Sequence, residues 1–232
     1  MWEATLDGRR LTFHLAGINN QNLLMRDAET GSWWQQTSGE SILGPLKGRS
    51  LTEVPHDELT WETWRAERPA GRVLLPDADA LAAGRYAPAR WEERMASAPA
   101  ATAAAEGEPL PPRALVLGVT VGASSVAYPF TALREQHVIL DDVGGAPIAV
   151  VMDLDSRSVR VFDRRMDDCA LELLAVPDAW PLRLVDAQTG STWDFTGKAV
   201  GGEYHGAALR RIEVLPADWF DWKAYHPGTT VY

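Results

Sequence analysis

The octapeptide DAETGSWW at 27–34 recurs as DAQTGSTW at 186–193, an offset of 159 residues, with Asp, Ala, Thr, Gly, Ser and the final Trp unchanged. One residue is then dropped. At an offset of 158 the correspondence continues through Gly39/Gly197, Gly44/Gly202, Gly48/Gly206, Leu51/Leu209, Trp61/Trp219, Trp64/Trp222, Ala66/Ala224, Pro69/Pro227 and Val73/Val231. Residues of roughly 27–74 thus recur at roughly 186–232, and with only two copies this reads as an internal duplication, not an array. One local design has to be folded twice.

That design can be read from its residues. Asp followed three residues later by Thr-Gly predicts a hairpin turn, with the carboxylate accepting from backbone N–H groups ahead of it and Gly taking the positive φ. The flanking runs, LLMRD and SWWQQT in one copy and PLRLVD and STWDFT in the other, have the short, branched and aromatic character of strands. The three glycines that follow punctuate further short strands or a bulge. In TWETWRAERP and DWFDWKAYHP two Trp stand at i and i+3, one helical face, and Pro ends the run. Each copy should end in a short helix packed on its sheet by those Trp.

Residues 76–112 are dominated by Ala, Pro and acidic side chains and read as a linker, with a short helix around ARWEERMAS and an extended or disordered SAPAATAAAEGEPLPP. From 113, ALVLGVTV, SSVAYPF, HVILDDVGGAPIAVVMD and VRVFDRR form a meander of strands leading into the second copy. The expected fold is mainly β (β-rich α+β): two related units of short antiparallel strands with one short helix each. Their bounds are 1–75, N-terminally incomplete, and 113–232, complete, joined by the Ala/Pro-rich linker 76–112.

A net charge of −10 and a pI near 5.0 repel phosphate backbones, so nucleic acid is not an expected partner. No run of about 18 apolar residues offers a membrane span. The N-terminus lacks the basic start and apolar stretch of a secretion signal, which makes the cytoplasm the default compartment unless the true start lies upstream of Met1. The single cysteine, Cys169, excludes an intramolecular disulfide and, in its acidic setting MDDCALE, reads as a small buried side chain.

Several segments together resemble the bacterial domain-of-unknown-function family 3179 (DUF3179): LDGRRLTF at 6–13, NQNLLMRDAETGSWWQQTSGESILGPLKG at 20–48, AYPF at 127–130, DDVGGAPIAVV at 141–151, VFDRR at 161–165 and the closing WFDWKAYHPGTTVY. The resemblance covers nearly everything except the linker. It implies a fold and no established activity. It also implies a His a few residues ahead of the Val-Gly-Gly and a Cys-Pro segment shortly before Phe-Asp-Arg. Here those positions hold Gln136 and MDLDSRS at 152–158, and in the first copy the equivalent segment would lie upstream of Met1.

Glycine-rich phosphate loops, nucleophile elbows and paired metal-ligand motifs are absent from the sequence, so no catalytic or cofactor-binding residue is assigned. The five His stand singly, although His205 and His226 both fall in the second unit. The candidate metal ligands are Asp153 and Asp155, two apart on a strand and so on one face, together with Asp141. Asp163 and Arg164 are expected to pair locally. Of ten Trp, those kept in both copies (Trp34, Trp61, Trp64, Trp193, Trp219, Trp222) read as core, whereas Trp33, Trp91 and Trp180 are the candidates for a ligand-binding surface. The leading expectation is a non-catalytic scaffold or binding module. The alternatives are a metal-binding or hydrolase-like protein using the acidic cluster, and a carbohydrate-binding module using exposed Trp. A homo-oligomer formed through an exposed sheet edge is the expected assembly.

Overall fold

Residues Ala146–Met152, APIAVVM, are apolar at nearly every position, and successive side chains of a strand point to opposite faces, so such a strand must be buried on both sides. In a computed structural model of the chain it lies inside a four-stranded antiparallel sheet ordered Arg210–Ile212, Val159–Asp163, Ala146–Met152, Val138–Val143. The structure describes all residues except Asn20, Gln21, Pro55, Arg85, Ala87, Ala89, 100–106, Ser156, Asp178 and Trp180, and omits the side chains of Glu92 and Ala96. Two compact units result, Met1–Asp57 and Glu58–Tyr232.

The larger unit is layered around that sheet. Ile148, Val150 and Met152 meet Leu117, Val119 and Tyr128 of a second sheet, ordered Val214–Asp218, Leu115–Val121, Ser124–Pro129, Thr230–Val231, whose last pairing is parallel. Ala149 and Val151, on the opposite face, meet Phe195 and also Leu184 and Trp193 of a third sheet, ordered Leu173–Ala175, Arg183–Asp186, Thr192–Asp194, Ala199–Gly201. The chain passes from the first of these sheets to the second across Glu213, between Arg210–Ile212 and Val214–Asp218. The second sheet's outer face, with Val116 and Ala127, is covered by Trp219 and Trp222 of the helix Trp219–Tyr225.

The smaller unit has one four-stranded antiparallel sheet, Phe13–Asn19, Asn22–Asp27, Trp33–Gln35, Ser41–Leu43, over a core of Leu11, Trp34 and Leu51. Several of its bonds recur in the third sheet. Thr30 N–H donates to Asp27 at 2.5 Å and Thr189 N–H to Asp186 at 2.7 Å, and each Asp also accepts the indole N–H seven residues on. Ser32 accepts from Leu46 N–H at 3.0 Å, and Ser191 from Tyr204 N–H at 3.1 Å. The shared glycines follow from contact: a Cβ on Gly44 would lie 2.7 Å from the Ser32 Cα, and one on Gly202 2.5 Å from the Ser191 Cα.

The match starts earlier than the sequence pattern does. Gly39 faces the Trp2 ring as Gly197 faces the Phe162 ring, and Trp2 bridges Glu53 as Phe162 pairs with Arg211. The Asp7 and Asp167 turns both take positive φ, at 51° and 53°. Leu6-Asp7-Gly8-Arg9 and Met166-Asp167-Asp168-Cys169 share only one identity, so the sequence concealed this part of the correspondence.

Four expectations change. Cys169 is exposed, because it occupies the tip of the Arg165–Met166/Cys169–Ala170 hairpin, outside the core. Trp61 is 57% exposed, in contrast to Trp34, Trp193, Trp219 and Trp222. Asp163 pairs with Arg165 and Arg210, whereas the Arg164 guanidinium donates to the carbonyls of Ile148 and Leu171. A helix Phe130–Gln136 follows directly on SSVAYP, where only Phe130 and Leu133, at i and i+3, marked it. The helix Trp91–Ala96 falls in ARWEERMAS, and residues 100–106 of the segment expected to be extended lie outside the described residues.

Candidate functional site

Three sequence features converge at one end of the central sheet. Helix Phe130–Gln136 ends at His137, which takes φ 57° and lets the chain turn into strand Val138–Val143. That strand pairs Val138 with Val151, and the Met152 N–H donates to the His137 carbonyl at 2.7 Å. Gln136 is therefore next to the start of MDLDSRS, the two places where the family resemblance implies His and Cys-Pro.

Asp153 and Asp155 lie just beyond the strand, in the loop that leads to Val159. Asp153, fully buried, accepts from the N–H groups of Leu154 at 2.8 Å and Leu182 at 3.0 Å with one oxygen, and its other oxygen lies 3.3 Å from the Thr63 hydroxyl oxygen. Asp155 accepts from the N–H groups of Arg157 and Ser158 at 2.9 and 2.8 Å, and from the hydroxyls of Thr60, Thr63 and Ser158 at 2.7, 3.0 and 2.7 Å. Burial pulls its pKa upward, but the Ser158 N–H and the Thr60 and Ser158 hydroxyls prevail and hold it at about 2.

The hydroxyls belong to the helix Trp61–Glu67, whose N-cap is Thr60. Leu59, just ahead of it, packs into the core that holds Trp193. One turn after Thr63, Glu67 makes a bidentate ion pair with Arg160 at 2.5 and 2.8 Å, and the guanidinium lies 4.7 Å over the Phe195 ring. The Arg160 side chain is buried and that of Glu67 nearly so. Thr60, Thr63, Glu67 and Arg160 escaped the reading of the sequence, although a lone Arg inside the apolar strand VRVFD was a signal that a buried carboxylate would come to meet it.

The acceptor oxygens of Asp155 and one of those of Asp153 are thus taken up by backbone and hydroxyl donors. Asp141 lies elsewhere on the sheet, accepting the Tyr128 hydroxyl at 2.7 Å, and burial together with this carboxylate pushes the phenol pKa far up. Among the described residues no group of three or more His, Cys, Asp or Glu is arranged to hold a metal ion. His226 stacks on Trp222 at 3.7 Å and contacts Ser125, and burial lowers its pKa. Of the candidate surface Trp, Trp91 is exposed, Trp33 is half-buried beside Gly17, and Trp180 lies outside the described residues. No described helix is long and apolar enough to cross a membrane.

Comparison with curated proteins and with solved structures found no match. A family model described as "Protein of unknown function (DUF3179)" matches residues 1–229 of the 232, and with its mainly β sheets and its Val-Gly-Gly hairpin in the central sheet the chain belongs to that family.

Proposed function

We propose that this protein is a non-catalytic β-rich scaffold or binding module built by duplication. The observation that carries the reading is the occupied end of the central sheet. Where chemistry would need an accessible carboxylate, Asp153 is fully buried and Asp155 instead fastens the helix Trp61–Glu67 through Thr60 and Thr63. The absence of His at Gln136 and of Cys in 152–158 points the same way. The matched bonds of the two small sheets support the duplication.

The rival is a metal-binding or hydrolase-like protein using the acidic cluster. Purified protein is to be analysed for metals and assayed against chromogenic esters, phosphates, peptides and glycosides. The proposal expects no stoichiometric metal and no turnover. A stoichiometric ion, or turnover abolished by Asp153→Asn or Asp155→Asn in a variant that melts cooperatively, would overturn it.

A further inference from the structure

The helix Trp61–Glu67 is seated in the larger unit as a ligand is in a site. Its N-cap, Thr60, donates its backbone N–H to the Ser158 hydroxyl at 3.0 Å, and the Thr60 and Thr63 hydroxyls lie 2.7 and 3.0 Å from the same Asp155 oxygen. Glu67, one turn after Thr63, takes both ends of the Arg160 guanidinium. Leu59 enters the apolar cluster that holds Leu184 and Trp193.

Each side of this contact needs the other. Arg160 is 3% exposed in the strand Val159–Asp163, where all five residues are buried, so losing the Glu67 carboxylate would strand its charge in the interior. A helix of seven residues does not hold its shape in water by itself. The surface at 155–160 is thus a recognition site, and its complement is a short segment offering Leu59, two hydroxyls from Thr60 and Thr63, and the Glu67 carboxylate in that order.

That segment belongs to no sheet. Among the described residues no sheet combines a strand from before residue 67 with one from after residue 113. From Arg68 to Ser97 the chain contains the short helices Ala78–Ala82 and Trp91–Ala96, which bond to near neighbours, Asp77 N–H to the Tyr86 hydroxyl and Arg90 to Glu93. Undocking the helix Trp61–Glu67 therefore breaks no strand pairing. An element fastened by its own side chains and followed by a long linker can be supplied by either of two chains with every contact kept.

We propose that two copies of this chain exchange residues 58–67, the segment of each docking on residues 155–160 of the other. A second copy is the occupant that the geometry names, because every copy carries both the site and the complement seen seated in it. The linker of roughly 45 residues gives docking within one chain an effective concentration on the order of 1 mM, so the exchanged dimer gains on the monomer as the protein nears that concentration. This makes a second copy the ligand of the binding-module reading and rests on that reading.

The test reverses charges in the full chain. Glu67→Arg and Arg160→Glu each set like charges against one another within one chain, whereas a pair made of the two variants has one native and one reversed ion pair. The two are co-refolded from urea at micromolar concentration and weighed by native mass spectrometry. Expected is a one-to-one heterodimer, with the double variant, whose ion pair is restored within one chain, monomeric. Because a reversed charge can stop a chain from folding, isotopically heavy and light wild-type chains are also mixed, and at ~1 mM the mixed-mass dimer and its like-mass counterparts should together hold about half of the chains. Monomers alone in both experiments, variants that fold yet stay apart, or a dimer formed by either variant by itself would overturn the exchange. None of these results bears on turnover, which the substrate assays read separately and which would overturn the underlying reading instead.

Discussion

Asp186 accepts the indole N–H of Trp193 at 2.9 Å, and both residues are fully buried. The same carboxylate also accepts the backbone N–H and hydroxyl of Thr189, so one side chain closes the hairpin turn and orients the largest ring of the core. Asp27 does the same for Thr30 and Trp34. Asp186→Ala leaves the indole and turn donors unsatisfied in the interior and should destabilise the protein by about 3 kcal/mol. Asp186→Asn keeps one acceptor oxygen and should cost about half as much. Urea unfolding of the two variants checks the ordering.

Acid should weaken the fold through a few identifiable carboxylates. Asp163 is held well below its ordinary range by Arg165 first and then Arg210; Asp27 and Asp186 are lowered because Trp and Thr donors outweigh burial. Asp155 moves from 3.8 to about 2. A carboxylate with a depressed folded pKa contributes stability that is complete above its unfolded pKa and is lost as pH falls through the folded value. The urea midpoint should therefore fall slightly as pH drops through the ordinary histidine range, where burial resists protonation of His226, and more steeply from about pH 4 to about pH 2. Asp155→Asn should flatten part of that limb, and a midpoint indifferent to acid would contradict the assignment.

Glu67 and Arg160 form a buried pair whose value lies in mutual compensation. Glu67→Ala strands a buried guanidinium and should cost about 3–5 kcal/mol, whereas the double variant Glu67→Leu, Arg160→Met should recover most of it. A double-mutant cycle from thermal or urea melts measures the coupling.

Trp61 and Trp219, 158 residues apart in similar sequence segments, should behave in opposite ways. Trp219→Ala removes a buried ring and should cost about 3–5 kcal/mol. Trp61→Ala removes an exposed one and should change stability by no more than about 0.5 kcal/mol. Comparing the two melting curves separates a packed position from a displayed one.

The hairpin turns, the terminal helices and the meander were legible because each rests on local chemistry: Asp to the N–H three residues on, Gly at positive φ, Trp at i and i+3. The exposure of Trp61 was not, because repetition in sequence reveals the shape an element takes and says nothing of what packs against it. Cys169 was misplaced for a related reason, since its surroundings in sequence do not reveal that a hairpin tip carries it outward. The role of Asp153 and Asp155 depends on Thr60 and Thr63, some ninety residues away along the chain, and no local pattern links them.

The strand Ala146–Met152 is a party wall. Its even-numbered and odd-numbered side chains belong to different hydrophobic interiors, so neither interior can loosen without moving the backbone they share. The unit Glu58–Tyr232 should accordingly lose both interiors in a single step on heating, and the amide protons of Ile148–Val151 should exchange with solvent deuterium only when the entire unit opens.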